Sequence, residues 1–363
     1  MNPPKKNEIQ NKNQLPASKA KYEFNLAEFP ITLISSGRLN KETPTSYTYK
    51  DTIPIGNGKT INREWKISHN SEYGWGSNQL GSIIFELFQI WKEQNFSSRI
   101  IHFGSIHNLV KRIGLSNDGK TYKRIKNDLK ALVGLVYEAK SAFWDNEKKL
   151  YVNMVGHLFE QAILMEAEGK TGQKDLPLCQ IKASQQLFDN IQANALITID
   201  PGGQFFHALT PTEQRLGLYL TKMLYNTSEV RRGVELLASQ IPILAEDYKN
   251  IKRQITRACD GLIKKGFPHL DSYRYEKSAS GDGENIVFSK STKQIKSAKQ
   301  KGCVEAHHAD DTLQIPFGDP NNEFIEGSEK ADELVKIGDL IKSITTQNQW
   351  SSITANEDTQ YLT

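Results

Sequence analysis

Apolar residues recur at intervals of three and four along several stretches of the chain, the spacing of a helix that buries one face. The pattern predicts two sets of three helices, each an apolar-rich helix, a shorter helix and a strongly basic helix. The predicted ranges are 80–94, 105–113 and 120–133, then 211–224, 234–241 and a helix from 248 onward. The segment Thr210-Pro211-Thr212-Glu213 is a capping box with proline at the first helical position, which marks a helix start.

Each basic helix is followed by a glycine, Gly134 or Gly266, and then by two strand-like segments. Those segments are 135–140 with 150–154, and 272–276 with 285–288. Helix, helix, basic helix and hairpin is the order of a winged helix, and its repetition indicates duplication. The sequence therefore predicts an α+β fold of two tandem winged-helix domains. Residues 24–34 and 65–68 also read as strands, which we expect to extend the first sheet.

Composition predicts the limits of the two domains. We expect a disordered basic N-terminal arm at 1–22, a first winged-helix domain at 23–170 and a second at 171–290. The polar segment 169–175 is the best boundary between them. Residues 291–363 are predicted to form an acidic, largely flexible tail with a short amphipathic helix at 329–344.

The first basic helix carries five basic residues and one acid, Asp128. A charge of one sign suits a polyanion, because neutralising phosphates releases counterions. An ordinary basic surface helix fits the same pattern, but a second copy favours nucleic acid. The segment from Tyr248 matches the segment from Tyr122 in polarity, position by position. The predicted DNA contacts are Lys120, Thr121, Lys123, Arg124 and Asn127; Lys148 and Lys149 at the first wing tip; and Lys249, Lys252, Arg253, Thr256 and Arg257.

Charge is unevenly distributed along the 363 residues. Residues 303–363 contain twelve acidic residues and three lysines, a net charge of −9. Because the whole chain carries +4, residues 1–302 carry +13. A basic body with an acidic tail suits a nucleic-acid binder whose tail limits non-specific association.

Nothing in the sequence indicates a membrane segment, a signal peptide, a cofactor or a metal site. The three cysteines, Cys179, Cys259 and Cys303, lack ligand-like spacing and are expected to be reduced thiols of a cytoplasmic protein. Cys259, on the second basic helix, is expected to be buried rather than reactive. His307 and His308 near Asp310 and Asp311 are at most a weak metal site within the tail.

Residues 114–121 also fit the phosphate-loop pattern G-x-x-x-x-G-K-[ST]. A phosphate loop follows a buried strand, whereas the apolar residues before Gly114 have helical spacing. Residues 196–200 would serve as the strand ending in aspartate that such a site also needs. A helix-turn-helix is favoured, and a phosphate-loop nucleotide hydrolase is the less favoured alternative.

Several segments in order also resemble a known family. They are Phe24-Asn25-Leu26-Ala27-Glu28-Phe29-Pro30, Glu72-Tyr73-Gly74, residues 96–103, Gly119-Lys120-Thr121-Tyr122-Lys123-Arg124 and Ala142-Phe143-Trp144-Asp145. Together they resemble the plasmid replication initiator A proteins over roughly residues 22–160. The second half resembles that family only in element order.

The resemblance implies a sequence-specific DNA-binding protein that recognises repeats at a plasmid origin, helps to open it and recruits host replication proteins. No enzyme activity is expected, because none of the eight histidines has the spacing that a nicking initiator needs for its metal. A winged-helix transcriptional repressor is the alternative function. Helix-turn-helix proteins often dimerise, so the sequence leaves a homodimer open.

Overall fold

The computed structural model describes residues 19–34, 43–56, 58–164, 179–200, 202–245, 247–278 and 283–290. The chain divides into two units, and nearly all described residues belong to the one formed by Met1–Ile53 and Thr60–Leu313. The other comprises Pro54–Lys59 and Gln314–Thr363, of which only residues 54–56, 58 and 59 are described. The first unit contains the described helices, the core and the candidate site.

The described residues form a mixed α and β fold. Its helices are α1 (Phe24–Glu28), α2 (Leu80–Glu93), α3 (Ile106–Ile113), α4 (Gly119–Gly134), α5 (Gln185–Gln192), α6 (Gln204–His207), α7 (Pro211–Met223), α8 (Val234–Gln240) and α9 (Tyr248–Lys264). Its strands are β1 (Ala20–Glu23), β2 (Ser46–Gly56), β3 (Lys59–Ser68), β4 (Ile100–Gly104), β5 (Val136–Asp145), β6 (Leu150–His157), β7 (Phe159–Ile163), β8 (Cys179–Ala183), β9 (Leu196–Ile199), β10 (Glu229–Gly233), β11 (Ser272–Lys277) and β12 (Glu284–Ser289).

The strands form sheets ordered β1-β9, β2-β3-β5-β6, β4-β8-β7 and β10-β12-β11. The strand pairs whose register is resolved are antiparallel. Among the described residues, one parallel bridge outside the strands joins Ile34 to Ile243. Antiparallel strands can be joined by short turns, whereas parallel strands need crossover helices. These sheets therefore form without a regular alternation of strands and helices along the chain.

Helix α2 lies at the centre of the first half. From Leu80 to Trp91 every residue except Gly81 is buried, as expected of a helix that is apolar on nearly all sides. It contacts β1, β4, α3, α4 and α7. The buried polar residues within it are paired; for example, Glu86 binds Arg112 and His207. The core of the molecule therefore forms around this helix.

All six predicted helices are present, with ends within two residues of the predicted ranges. The capping box is confirmed: the Thr210 hydroxyl accepts from the Glu213 N–H, and the Glu213 carboxylate accepts from the Thr210 N–H. Both predicted hairpins are also present, as β5–β6 and β11–β12. Strand β3 pairs with β5, so residues 65–68 extend that sheet as expected.

The predicted strand at 24–34 is wrong. Residues Phe24–Glu28 form α1, because the Glu23 carboxylate caps it by accepting from the N–H of Leu26 at 2.8 Å. The predicted disordered arm at 1–22 extends too far, because strand β1 begins at Ala20 and pairs with β9. Residues 1–18, the tail at 291–363 and the helix predicted at 329–344 lie outside the described residues.

Strands on both sides of the predicted boundary at residues 170 and 171 share sheets. Strand β8 pairs with β4 and β7, and β9 pairs with β1. Residues 179–199, which the sequence assigned to the second domain, therefore complete sheets of the first. The proposed linker at 169–175 lies outside the described residues.

A buried cluster of charges, which we call the central charge cluster, joins the two halves. It consists of Glu28, Asp51, Arg63, Lys222 and Arg232. Arg63 binds Glu28 at 2.7 Å and Asp51 at 2.6 Å, Lys222 binds Glu28 at 2.6 Å, and Arg232 binds Asp51 at 2.9 Å. Burial opposes ionisation of Glu28, but Arg63 and Lys222 hold its pKa well below the usual range.

Candidate nucleic-acid interface

Helices α3 and α4 are joined by a tight turn at residues 114–118. Gly114 ends α3 in the left-handed conformation at φ 79°, which a residue without a side chain adopts at least cost. Asp118 then caps α4: its carboxylate accepts from the Thr121 N–H at 2.8 Å and from the Ser116 hydroxyl at 2.6 Å. The turn is therefore built from hydrogen bonds of its own side chains.

The inner face of α4 is mostly apolar. Ile125, Leu129 and Leu132 are fully buried, as the spacing predicts. Asp128 is 1% exposed, and its carboxylate accepts from the N–H and the hydroxyl of Ser77, each at 2.6 Å. Burial raises the pKa of Asp128. The only acid within the helix thus lies away from solvent.

The outer face of α4 is consequently cationic. Lys120, Lys123, Arg124 and Asn127 are all exposed. Within the part of the chain that the structure describes, no ion pair joins Lys120, Lys123 or Arg124 to an acidic side chain. These charges remain available to a ligand in solution.

Helix α9 begins in the same way as α4. The Asp247 carboxylate accepts from the Asn250 N–H at 2.7 Å, as Asp118 does from Thr121. Counted from the cap, both helices place lysine at the second and fifth positions and arginine at the sixth. These residues are Lys120, Lys123 and Arg124 in α4 and Lys249, Lys252 and Arg253 in α9.

The register that aligned Tyr248 with Tyr122 is wrong, because Tyr248 is the first residue of α9 and Tyr122 the fourth of α4. Counted from the cap, the buried stripe also lies one residue later in α9 than in α4. Ile255 and Leu262 are the buried residues that correspond to Ile125 and Leu132. One residue is about 100° of helix rotation. The buried face of α9 is therefore rotated by about this angle about the helix axis, compared with the buried face of α4, when both helices are aligned at their caps.

This rotation decides which predicted contacts of α9 face solvent. Lys249, Arg253 and Arg257 are exposed. Lys252 is turned toward the hairpin, where it binds Glu284 at 2.6 Å and lies 4.4 Å from the centre of the Tyr275 ring. Thr256 is partly buried and shares a hydrogen bond of 2.9 Å with the Tyr275 hydroxyl. Both side chains therefore serve the packing of β11–β12 against α9.

Thr121 needs the same correction in α4. It is 3% exposed, and its hydroxyl hydrogen-bonds to Ser116 and Asp118. The side chain belongs to the helix cap, so it does not lie on the face predicted to meet DNA. Helical spacing separates it from Lys120, because Thr121 lies four residues before Ile125 and so on the buried side of α4.

The tip of the first hairpin carries Lys148 and Lys149. Lys148 is 62% exposed in its side chain and pairs with the largely buried Asp145 at 2.9 Å. Lys149 has φ 55° and donates to the Asn146 side chain at 3.3 Å. Both remain at the surface, but the charge of Lys148 is partly compensated.

Two further features lie beside these helices: Lys111, which the sequence analysis missed, and His107, which it expected to make a packing or phosphate contact. Lys111, in the last turn of α3, is exposed. His107 is also exposed and lies 2.8 Å from the Tyr122 hydroxyl, so it orients that ring at the start of α4. The spacing of the apolar residues in α3 already puts Lys111 outside the buried stripe, and from this its exposure could have been predicted.

The geometry at residues 114–121 is not that of a phosphate loop. The preceding element is helix α3, and Gly119 and Lys120 already belong to α4. The Asp118 carboxylate occupies the helix N-terminus, where a phosphate would have to bind. Strand β9, at the position of the second expected element, pairs antiparallel with β1. The phosphate-loop interpretation is therefore wrong for this structure.

Other candidate chemistry is sparse. Cys179 and Cys259 are buried and form no disulfide among the described residues, and burial raises the pKa of the Cys259 thiol. Cys303 lies outside the described residues. Within the described ranges, no group of three or more histidine, cysteine, aspartate or glutamate residues is placed to hold a metal. No described helix is long and apolar enough to cross a membrane.

No protein-family model matches the chain, and comparison with curated proteins gives no match. Among solved structures, the chain is similar to a crystal structure of domains 2 and 3 of RctB, with 10% identity and a TM-score of 0.47. The similarity covers 74% of this chain and 98% of that one. A second crystal structure of RctB domains 2–3 has 10% identity, covers 74% of this chain and 97% of that one, and gives a TM-score of 0.38. Likeness at this level carries no functional conclusion.

Proposed function

We propose that the chain is a sequence-specific protein that binds double-stranded DNA through two winged-helix units and initiates plasmid replication at repeated origin sites. The observation that carries this proposal is the state of the charges on α4 and α9. Each helix follows a shorter helix, starts at an aspartate cap and presents exposed lysine and arginine side chains that lack ion pairs among the described residues. Such a surface suits the phosphates of a duplex.

The connectivity of the second half supports a winged-helix unit. Its elements run α7, β10, α8, α9, β11, β12, and the sheet order is β10-β12-β11. In the first half the order α2, β4, α3, α4, β5, β6 is the same. There β4 pairs with β8 instead of with the hairpin, so the first unit is a variant with an added strand.

In this proposal some of the exposed side chains contact bases and others contact the phosphate backbone. Arg124, Arg253 and Arg257 are able to pair with guanine, and Asn127 with adenine, in the major groove. The lysines, Lys120, Lys123 and Lys249, meet phosphates and fix the position of each helix. The wing lysines Lys148 and Lys149 touch the backbone beside the first helix.

The role in replication rests on the sequence resemblance to plasmid initiators. The protein itself catalyses no reaction here: distortion of the bound DNA, together with host replication proteins, opens the origin. A homodimer is compatible with this scheme. A transcriptional repressor would use the same interface, so binding alone does not separate the two functions.

A plasmid that carries only this gene and its flanking DNA separates them. We expect it to be maintained in cells with the wild-type gene and lost when Arg253→Ala and Arg257→Ala are combined. Loss of the plasmid with the wild-type protein, combined with intact binding to the flanking DNA, would instead support a repressor.

A further inference from the structure

A cavity of about 40 Å³ lies between α2 and α7, beside β1 and residues 31–34. Its wall is mostly apolar and includes Tyr22, Ile84, Phe206 and Leu218. Two polar side chains of α7, Gln214 and Arg215, also line it. At roughly 10–15 Å³ for each water, the space holds about three waters or a molecule of similar size.

Arg215 presents one edge of its guanidinium without a partner. The side chain is largely buried, and Nη1 donates to the carbonyl oxygens of Leu26 and Ala27 at 2.7 and 3.0 Å. Among the described residues, Nε and Nη2 have no hydrogen-bond partner. These two N–H groups form the edge that binds a carboxylate with two parallel hydrogen bonds. Buried donors of this kind are costly unless paired.

Gln214 adds an acceptor with a fixed orientation. Its Nε2 donates to the Ser82 hydroxyl at 2.8 Å and to the carbonyl oxygens of Phe206 and Leu209 at 3.1 and 3.2 Å. The amide cannot turn over without losing these bonds. Its Oε1 is buried and has no partner within the described ranges, so it can accept from a ligand donor.

Charge balance points to an anion. Each cation of the central charge cluster pairs with Glu28 or Asp51, whereas Arg215 makes no ion pair with a described residue. Burial lowers the pKa of Arg215 to about 10, which leaves the guanidinium charged at neutral pH. Glu28 stabilises this charge through space, but no described carboxylate forms an ion pair with it.

We propose that this cavity binds a small aliphatic carboxylate of about the size of acetate or lactate. Its carboxylate lies against Nε and Nη2 of Arg215, its carbon atoms against the apolar wall, and a hydroxyl toward Oε1 of Gln214. The site is separate from the predicted DNA interface and does not depend on it.

Gly81→Ala is the sharpest variant for a test, because Gly81 lines the cavity and its added Cβ would lie 3.3 Å from Gln214 Oε1. Alanine also favours the helix over glycine, so α2 should fold. Gly217→Ala is the matched control: it lies in α7 outside the cavity lining, and its Cβ would meet the Phe267 ring at 3.6 Å.

The full-length protein is titrated calorimetrically with lactate, acetate and the neutral analogue lactamide at constant ionic strength. We expect lactate to bind, lactamide not to bind, Gly217→Ala to match wild type, and Gly81→Ala to weaken binding by roughly tenfold or more. Arg215→Lys keeps the charge but loses the two-pronged edge, and we expect it to weaken binding similarly. Equal binding of lactate and lactamide, no binding of either carboxylate, or unchanged affinity in both Gly81→Ala and Arg215→Lys would overturn the proposal.

Discussion

Asp128 lies on the inner face of α4, where Ser77 donates two hydrogen bonds to its carboxylate. In the sequence it is the one acid that would reduce the charge of a basic helix. Its burial leaves Lys120, Lys123 and Arg124 as the outward charges of that stretch. No local pattern predicts such an inward acid, because its partner is 51 residues away.

At the residue scale, base-reading and phosphate-binding side chains should differ measurably. We expect Arg124→Ala or Arg253→Ala to weaken specific DNA binding by about 1–3 kcal/mol. Lys123→Ala should instead reduce the slope of log K against log salt by about one unit. Affinities at several salt concentrations, on the DNA flanking the gene, measure both.

Lys264→Ala is the matched control, since this exposed lysine lies in the last turn of α9. It should leave affinity and slope unchanged. Equal effects of Lys264→Ala and Lys123→Ala would mean that DNA affinity depends on the net charge of the protein and not on the position of Lys123.

His269 predicts a dependence of stability on pH. Burial, with a smaller contribution from Lys290, lowers its pKa to about 4. The unfolded state therefore binds the proton more readily, and this residue's contribution to stability is lost as pH falls from about 6.5 toward 4. We expect His269→Gln to lose less stability than wild type between pH 7 and pH 5, by up to about 2 kcal/mol.

Urea unfolding at the two pH values, compared between variant and wild type, measures this difference. Glu23 acts in the opposite direction in the same range, because burial raises its pKa to about 7, so the wild-type trend alone is not the test. The exposed His102→Gln is the control. Parallel pH curves for wild type and His269→Gln would contradict the prediction.

At the element scale, the two aspartate caps define where the basic helices start. Removing a cap side chain typically costs about 1 kcal/mol. We expect Asp118→Ala and Asp247→Ala each to lower the free energy of unfolding by that amount, and Asp118→Ser and Asp247→Ser to stay near wild type. Serine variants as unstable as the alanine variants would show that the carboxylate charge, and not the cap, is responsible.

The elements with strong periodicity were predictable, since α2, α4, α7 and α9 each carry a long apolar stripe or a cap signal. Short elements were not. Helix α1 has five residues and depends on the Glu23 carboxylate, and β4 and β8 have five residues each. Their pairing partners lie far away in the chain, where local spacing holds no information.

For the candidate site, helical spacing identified the exposed cations of α4 and most of those of α9. It failed for Lys252 and Thr256, whose partners lie in the second hairpin, whereas for Thr121 the spacing itself points inward. Such contacts depend on how the helix is rotated about its own axis. The spacing of apolar residues in the sequence fixes that rotation only to within about one residue, or about 100°.

At the scale of the whole molecule, the central charge cluster binds residues of the two halves together. Glu28→Ala would leave Arg63 and Lys222 buried without this partner, and removing one member of a buried pair costs about 3–5 kcal/mol. Glu64→Ala is the control, because its pairs with Lys50 and Lys140 are at the surface and such pairs contribute at most about 1 kcal/mol. Chemical unfolding of the two variants measures the difference, and similar losses would contradict the role given to the cluster.

The cluster also explains why the division into two domains was hard to place from sequence. Sheets and ion pairs join the described parts of the two halves, so a polar segment in the sequence does not mark the end of contacts between them. A basic helix lies in each half, and the shared core fixes both within one compact unit.

The most direct measurement is a footprint on the DNA that flanks the gene, made with wild type and two triple variants. One variant combines Lys120→Ala, Lys123→Ala and Arg124→Ala, and the other Lys249→Ala, Arg253→Ala and Arg257→Ala. We predict that wild type protects two major-groove segments and that each variant loses a different one. No protection by a folded wild-type protein, or the same footprint in all three, would contradict the account.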